Sequence, residues 1–253
     1  MNSTDGIIIQ ARTGSTRMPS KILLPFSGDK CILDILIERI KASAPGRRIV
    51  VATTTAAADS SIAEKAQSHG VDFFRGSEED VLQRFIDAAD AFGIKRLIRV
   101  CSDNPFVLAS TFGEMFAAAD AAPEADYIAY SFPDGRPTIK SHLGLFAEFT
   151  TTDALRRVAQ RSDLKMDHEH VTIHMYTHPD AFNVRLLPLP RVLADRNDIR
   201  LTLDTPSDFR LLDELYRRFM ADTDHSVEAL LRLIDGNEEY GRIMKENITQ
   251  NEK

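Results

Sequence analysis

The chain has only two cysteines, Cys31 and Cys101, among 253 residues. That is too few for a disulfide scaffold, so buried reduced thiols and a cytoplasmic compartment are expected. No apolar run approaches the ~18–20 residues of a membrane span. The opening Met1-Asn-Ser-Thr-Asp-Gly6 has neither a basic n-region nor an apolar h-region, so no secretory leader is expected. Positive charge is also in deficit: 31 Lys and Arg against 38 Asp and Glu leave a net −7. This argues against a nucleic-acid-coating protein, and any phosphate site must be a local basic patch. Internal repeats, low-complexity tracts and clear linkers are lacking as well.

Several metal and nucleotide signatures are missing too. His168, His170, His174 and His178 are clustered, with His170 and His174 one helical turn apart. The metalloprotease His-Glu-x-x-His pattern is absent, because Glu169 precedes His170 and Val171 follows it. The deaminase Pro-Cys-x-x-Cys partner is absent as well. A polar helix face serving substrate or subunit contacts is therefore preferred to a zinc site.

What is there begins with Ile7-Ile-Ile-Gln-Ala-Arg-Thr-Gly-Ser-Thr-Arg-Met-Pro-Ser-Lys21. A strand-type apolar run stops abruptly and gives way to small, hydroxylic and basic residues. Such a loop can aim backbone N–H groups, hydroxyls and the cations Arg12, Arg17 and Lys21 at one polyanion, a triphosphate above all. It lacks the Gly-Lys-Ser/Thr ending of a Walker loop and the spaced glycines of a dinucleotide fingerprint. A plain surface loop with scattered charges is the alternative. Phosphate binding is preferred because open α/β sheets bind ligands at the carboxyl ends of their strands.

The 43% hydrophobic content can supply a substantial core, in one large α/β domain or a domain with an appendage. Strand-like Gly6–Ala11, Arg48–Thr53, Val71–Phe74, Arg96–Cys101 and Ala125–Ala129 alternate with helical segments. Those helices are Ile32–Ala42, one capped by Asp59 and running to about His69, one opened by Ser77-Glu-Glu-Asp80 and reaching Phe92, and one from about Ser110 to Asp120. This βαβ rhythm implies a mainly parallel, Rossmann-like sheet flanked by helices. It breaks after Tyr130, where Phe132-Pro-Asp-Gly-Arg-Pro137 is turn chemistry.

The expectation is a single domain over residues 1–253, with a core of about 6–129 and 182–236. A middle excursion of about 130–181 would supply a dimer contact or the acceptor region. Helices are expected at Thr152–Gln160 and Asp167–Tyr176, and strands at Phe182–Leu187 and Ile199–Leu203. Further helices follow at about Pro206–Met220 and Ser226–Ile234. The polar tail after Asn237 is expected to fray. Phe85, Phe92, Phe112 and Phe116 have core spacing, and Arg156, Arg157, Arg161 and Lys165 form one solvated helix face.

Transfer of a nucleotide to a hydroxyl needs the α-phosphate held in line, cations to neutralise the departing pyrophosphate and a base near the attacking oxygen. Two strand ends offer carboxylates. Asp103 follows the Arg96–Cys101 strand, and Asp204 follows Ile199–Leu203. Oxygen ligands there suit Mg²⁺, which bridges to substrate phosphates. Asp208 is better read as part of a cap with Thr205 and Pro206.

The segment Gln10 to Lys21 resembles the N-terminal signature of the cytidylyltransferases that activate acidic sugars. It is nearest to the spore-coat-polysaccharide branch, which typically reads Gln-Ala-Arg-x-Gly-Ser-Thr-Arg-Leu-Pro-Gly-Lys. Only Met18 and Ser20 depart from that wording. The resemblance implies a nucleotide-diphospho-sugar transferase type of fold, Mg²⁺ as cofactor, and a homodimer. It implies a CTP site formed by Gln10, Ala11, Arg12, Gly14, Ser15, Thr16, Arg17 and Lys21, with Arg12, Lys21 and Asp103 catalytic. Asp103 and Asp204 match the family's magnesium ligands. Arg75-Gly-Ser-Glu-Glu-Asp-Val-Leu-Gln-Arg84 resembles an element beside the nucleotide, which makes Arg75, Ser77 and Arg84 further contacts. The implied reaction moves CMP from CTP to an acidic keto-acid sugar and releases pyrophosphate.

The main departure from the branch is Gly135 to Phe146, where Lys140 and His142 stand in place of an acidic element. Lys140, His142, Glu169 and His170 are the expected acceptor contacts, and a carboxylate or phosphonate would pair with Lys140. Two rivals remain: a glycosyltransferase using a finished nucleotide-sugar, and a non-catalytic nucleotide-binding regulator. Only half of the usual glycosyltransferase Asp-x-Asp turn is present at Asp103, and the intact carboxylates and basic loop disfavour the regulator.

Overall fold

The run Ile7-Ile-Ile9 forms the middle of β1 (Asp5–Gln10), with Ile7 and Ile9 packed on one face and Ile8 on the other. Burial on both faces explains why no polar residue interrupts it. The computed structural model describes residues 4–251. After β1 come α1 (Ile32–Ser43), β2 (Arg48–Thr54), α2 (Ser60–Ser68), β3 (Asp72–Gly76), α3 (Val81–Phe92) and β4 (Arg96–Cys101). The middle of the chain forms α4 (Phe112–Ala121), β5 (Tyr127–Ser131), β6 (Glu148–Thr151), α5 (Thr152–Arg161), α6 (Lys165–Glu169) and α7 (Ile173–Thr177). It closes with β7 (Val184–Pro188), α8 (Pro206–Ala221), α9 (Val227–Asp235) and α10 (Glu238–Gln250).

The seven strands lie in the order β3-β2-β1-β4-β6-β5-β7. Only β6 runs antiparallel; the other pairings are parallel. One face is covered by apolar residues of α1, α4, α8 and α9, the other by α3, α5 and α7. Phe85, Phe112 and Phe116 are buried and Phe92 packs at the margin, as their spacing predicts. No helix among the described residues is long and apolar enough to cross a membrane.

Four expectations are corrected. Residues 130–181 do not leave the sheet: they insert β6 between β4 and β5, pairing Arg99 with Glu148 and Tyr127 with Thr150. A four-residue strand holding a glutamate and two threonines carries no apolar alternation to announce it. The helix expected over Asp167–Tyr176 is split into α6 and α7 at Val171, whose φ is 49°. A β-branched residue there is a genuine outlier.

Residues 199–203 are extended but pair with no strand. Leu201 N–H donates to His142 O and Leu203 N–H to Asp103 O, so the segment is pinned to two different loops. Finally, the tail after Asn237 is helical, because Tyr240 and Met244 are buried against α8 and α9.

Candidate active site

The loop that follows β1 is folded on Thr13. Its carbonyl accepts from the N–H groups of Ser15 and Ser20, at 2.8 and 2.9 Å. Its own N–H and hydroxyl both donate to Asp59 Oδ1, at 2.7 and 2.6 Å. Asp59 occupies the position before α2 but does not cap it; its other oxygen accepts from the Thr54 hydroxyl. Burial pushes the Asp59 carboxyl up, yet the Thr13 and Thr54 hydrogen bonds outweigh it and hold the group below its ordinary value.

Lys21, 9% exposed, ends this loop. Its Nζ lies 3.6 Å from Asp103 Oδ2 and 3.5 Å from Asp204 Oδ1, and it also donates to Leu203 O. Arg17 approaches Asp204 Oδ1 at 3.3 Å and bonds Asn251 at the end of α10. Asp204 is fixed from behind by Arg200, a side chain 1% exposed. Arg200 donates to Asp208 through Nε and Nη2, at 2.7 and 2.8 Å, and to the His142 ring. Asp208 closes a capping box with Thr205 and accepts from Asn247 of α10 at 2.8 Å. It is thus a cap, as expected, and also the partner of a buried arginine.

These groups open onto a cavity of about 620 Å³ at the carboxyl ends of β1 and β4. Gln10, Arg12, Ser15, Thr16, Arg17 and Lys21 form one wall, with Asp103 and Asp204 beside them. Lys140, Glu169 and His170, from the 130–181 segment, line the same cavity.

The remaining expected contacts sit elsewhere. Ala11 is buried at 1%, and Gly14 lies off the cavity, nearest to Glu78. Arg75 donates to the carbonyls of Thr54 and Ala56, and so fixes the turn after β2. Ser77 accepts from the N–H of Asp80, which caps α3. Arg84 is fully buried and donates to Ser77 O; burial and then the neighbouring Arg12 charge push it down to about 10. His142 faces a smaller hollow with Arg136 and Arg196 instead of the main cavity.

Three of the four clustered histidines have specific side-chain partners. His168 bonds Asp80 at 2.8 Å and so ties α6 to the start of α3. His174 bonds Asp167 at 2.8 Å and stacks on His178. Arg156 and Arg157 pair with Asp90 and Asp126, so the basic face of α5 is partly neutralised.

Sequence reasoning missed Asp59, Arg99 and Arg200. Asp59 reads in the sequence only as a helix cap, since the loop residue that it holds, Thr13, lies 46 residues away. Arg99 did give one: a charge in the middle of the otherwise apolar strand Leu97-Ile98-Arg99-Val100. It is 5% exposed, lines the cavity and donates to Glu148 and to Gln10.

Asp103 and Asp204 present oxygens towards one common point, now spanned by the Lys21 ammonium. That donor set fits a hard divalent cation such as Mg²⁺, which takes one or two carboxylates and completes its shell with water and phosphate. The described residues contain no cluster of three or more His, Cys, Asp or Glu that can cage a metal on their own.

Fold and site together define a nucleotidyltransferase-type α/β protein. A family model described as cytidylyltransferase matches residues 6–245. The chain is 37% identical over 244 residues to an uncharacterised protein of Methanocaldococcus jannaschii, covering 96% of this chain and 95% of that one. It is 32% identical over 237 residues to the spore coat polysaccharide biosynthesis protein SpsF of Bacillus subtilis, covering 91% and 93% of the two chains. The solved structure of a cytidylyltransferase from Leptospira borgpetersenii superposes with a TM-score of 0.80 at 29% identity, over 96% of this chain and 97% of that one. The chain belongs to the cytidylyltransferase family.

Proposed function

We propose that the protein transfers CMP from CTP to a hydroxyl of an acidic sugar, with release of pyrophosphate, in the making of a surface polysaccharide or related glycan precursor. The observation that carries this reading is the meeting of Lys21, Asp103 and Asp204, brought from three separate segments to one point on the cavity wall. The acceptor oxygen attacks the α-phosphorus, the bond from that phosphorus to the bridging oxygen of the β-phosphate breaks, and the hydroxyl proton is lost to solvent or a nearby base.

Arg12, Arg17, Lys21 and the hydroxyls of Ser15 and Thr16, all lining the cavity, would hold the triphosphate. Asp103 and Asp204 would hold Mg²⁺. When bound, the ion supplies positive charge for the departing pyrophosphate. Lys21, held between the two carboxylates, orients them and adds a second cation on the phosphate side. The cavity wall formed by Lys140, Glu169 and His170 receives the acceptor.

The test is pyrophosphate release with each of the four nucleoside triphosphates against a panel of keto-acid sugars and phosphonates. Release confined to CTP and an acidic sugar is expected. Asp103→Asn is expected to lower turnover by about a hundredfold or more while CTP binding changes little. Unchanged turnover in that variant would remove Asp103 from the reaction, and released nucleoside mono- or diphosphate would point to glycosyl transfer instead.

A further inference from the structure

Arg99 lies where the two halves of the cavity meet. The nucleotide loop follows β1, and its supports, Thr54, Asp59 and Arg75, lie towards β2 and β3. Arg99 is on the other side, on β4, paired across the sheet with Glu148 of β6. Thr172, which follows Glu169 and His170 of the acceptor wall, donates to Glu148 Oε1 at 2.8 Å. Tyr127 donates to the same oxygen at 2.6 Å, and Arg99 Nη1 takes Oε2. Both Glu148 oxygens are therefore engaged, and the residue is 2% exposed. It offers the cavity no acceptor.

On the other flank Arg99 Nη2 donates to Gln10 Oε1 at 3.0 Å. An arginine N–H can face only the amide oxygen, so the Gln10 amide nitrogen is the end left to the cavity wall. Each terminal nitrogen of Arg99 carries two N–H groups and spends one on Glu148 or Gln10. The result is a patch that offers donors only: the remaining guanidinium N–H groups and the Gln10 amide. A planar donor fork matches a carboxylate. A neutral hydroxyl would need an acceptor as well.

We infer that Arg99 is the acceptor-specificity residue, receiving the carboxylate of the sugar acid together with the Gln10 amide; this rests on the CMP-transfer reading above. Lys140, exposed and lining the same cavity, adds charge without a fixed geometry. The strained backbone at Val171 belongs to the same device, since the Thr172 hydroxyl bond to Glu148 anchors the turn that carries Glu169 and His170.

Two substitutions test it in the full-length protein. Arg99→Lys keeps a charge for Glu148 but removes the planar fork. Arg99→Gln combined with Glu148→Gln removes both charges, so no buried carboxylate is stranded. The probes are an eight-carbon 3-deoxy-2-ulosonic acid and its primary amide, assayed with CTP and Mg²⁺ by pyrophosphate release. The expected result is a KM for the acid raised about ten- to hundredfold in both variants, with the KM values for the amide and for CTP within about twofold.

An unchanged preference for acid over amide overturns the assignment. So does a change in CTP KM alone, which would place Arg99 on the nucleotide side. Failure of the parent reading shows separately, as no pyrophosphate from either acceptor with the unsubstituted protein. Titration calorimetry of the acid then decides: at least about tenfold weaker binding in Arg99→Lys supports Arg99, while equal or undetectable binding in both proteins overturns it.

Discussion

Asp59 receives both hydrogen bonds that Thr13 can donate, so the shape of the basic loop is set by a residue at the start of α2. The Thr54 hydroxyl engages the second oxygen of that carboxylate, and the group is 2% exposed. Replacing Asp59 by Ala strands three buried donors. The expected cost is about 2–4 kcal/mol of stability, seen as a lower denaturant midpoint. A rise in CTP KM larger than the fall in kcat should accompany it, since the proposed role of the Thr13 turn is to shape the loop that holds the triphosphate. An unaltered CTP KM would separate Asp59 from the loop.

The same carboxylate makes a pH prediction. Burial raises the Asp59 and Asp34 carboxyls, but hydrogen bonds from Thr13 and Thr54, and from Cys31, His69 and Lys65, win and leave both below 3.8. A carboxyl depressed in the folded state contributes stability that is present above the unfolded value and is lost as pH falls through the folded one. The Tm is therefore expected to hold down to about pH 4 and then fall steadily towards pH 2. In Asp59→Asn the Tm should be lower at neutral pH and its acid decline shallower. Parallel declines in the two proteins would contradict this.

Gly144 has φ 62°, and a Cβ there would meet the carbonyl carbon and oxygen of Leu201 at 2.8 Å. The backbone of the 138–144 segment thus packs directly on the stretch that carries Arg200 and Asp204. Gly144→Ala is expected to lose about 2–4 kcal/mol of stability through both strain and collision. Its kcat/KM should fall further than its folded fraction accounts for, since Asp204 is displaced. Full activity in the folded variant would show that the contact does not position that carboxylate.

The C-terminal segment reaches the site twice, through Asn251, just after α10, to Arg17 and through Asn247 of α10 to Asp208. Removing the chain after Asn237 takes away the buried Tyr240 and Met244 and both of those bonds. A Tm lower by several degrees and a higher CTP KM are expected. Asn251→Ala is the finer probe: its Tm should stay within about a degree while CTP KM rises.

The sequence by itself determined the parallel core, because strands buried on both faces must be apolar throughout and Ile7-Ile-Ile9 is. It determined the basic loop, whose residue types follow one another along the chain, and the capping box at Thr205 and Asp208, whose partners are three residues apart. It also picked out Asp103 and Asp204, from their positions after extended segments. The tertiary structure alone decided what depends on distant partners. Strand β6 forms because it pairs with β4 and β5 on either side, although nothing in its four residues alternates. The 199–203 segment stays unpaired because its N–H groups go to His142 and Asp103. The polar tail becomes a helix because α8 and α9 offer it an apolar seat. Arg84 lies beneath the site and Arg99 faces into it, a difference set by how helix and strand are oriented in the folded layers and not by any local pattern.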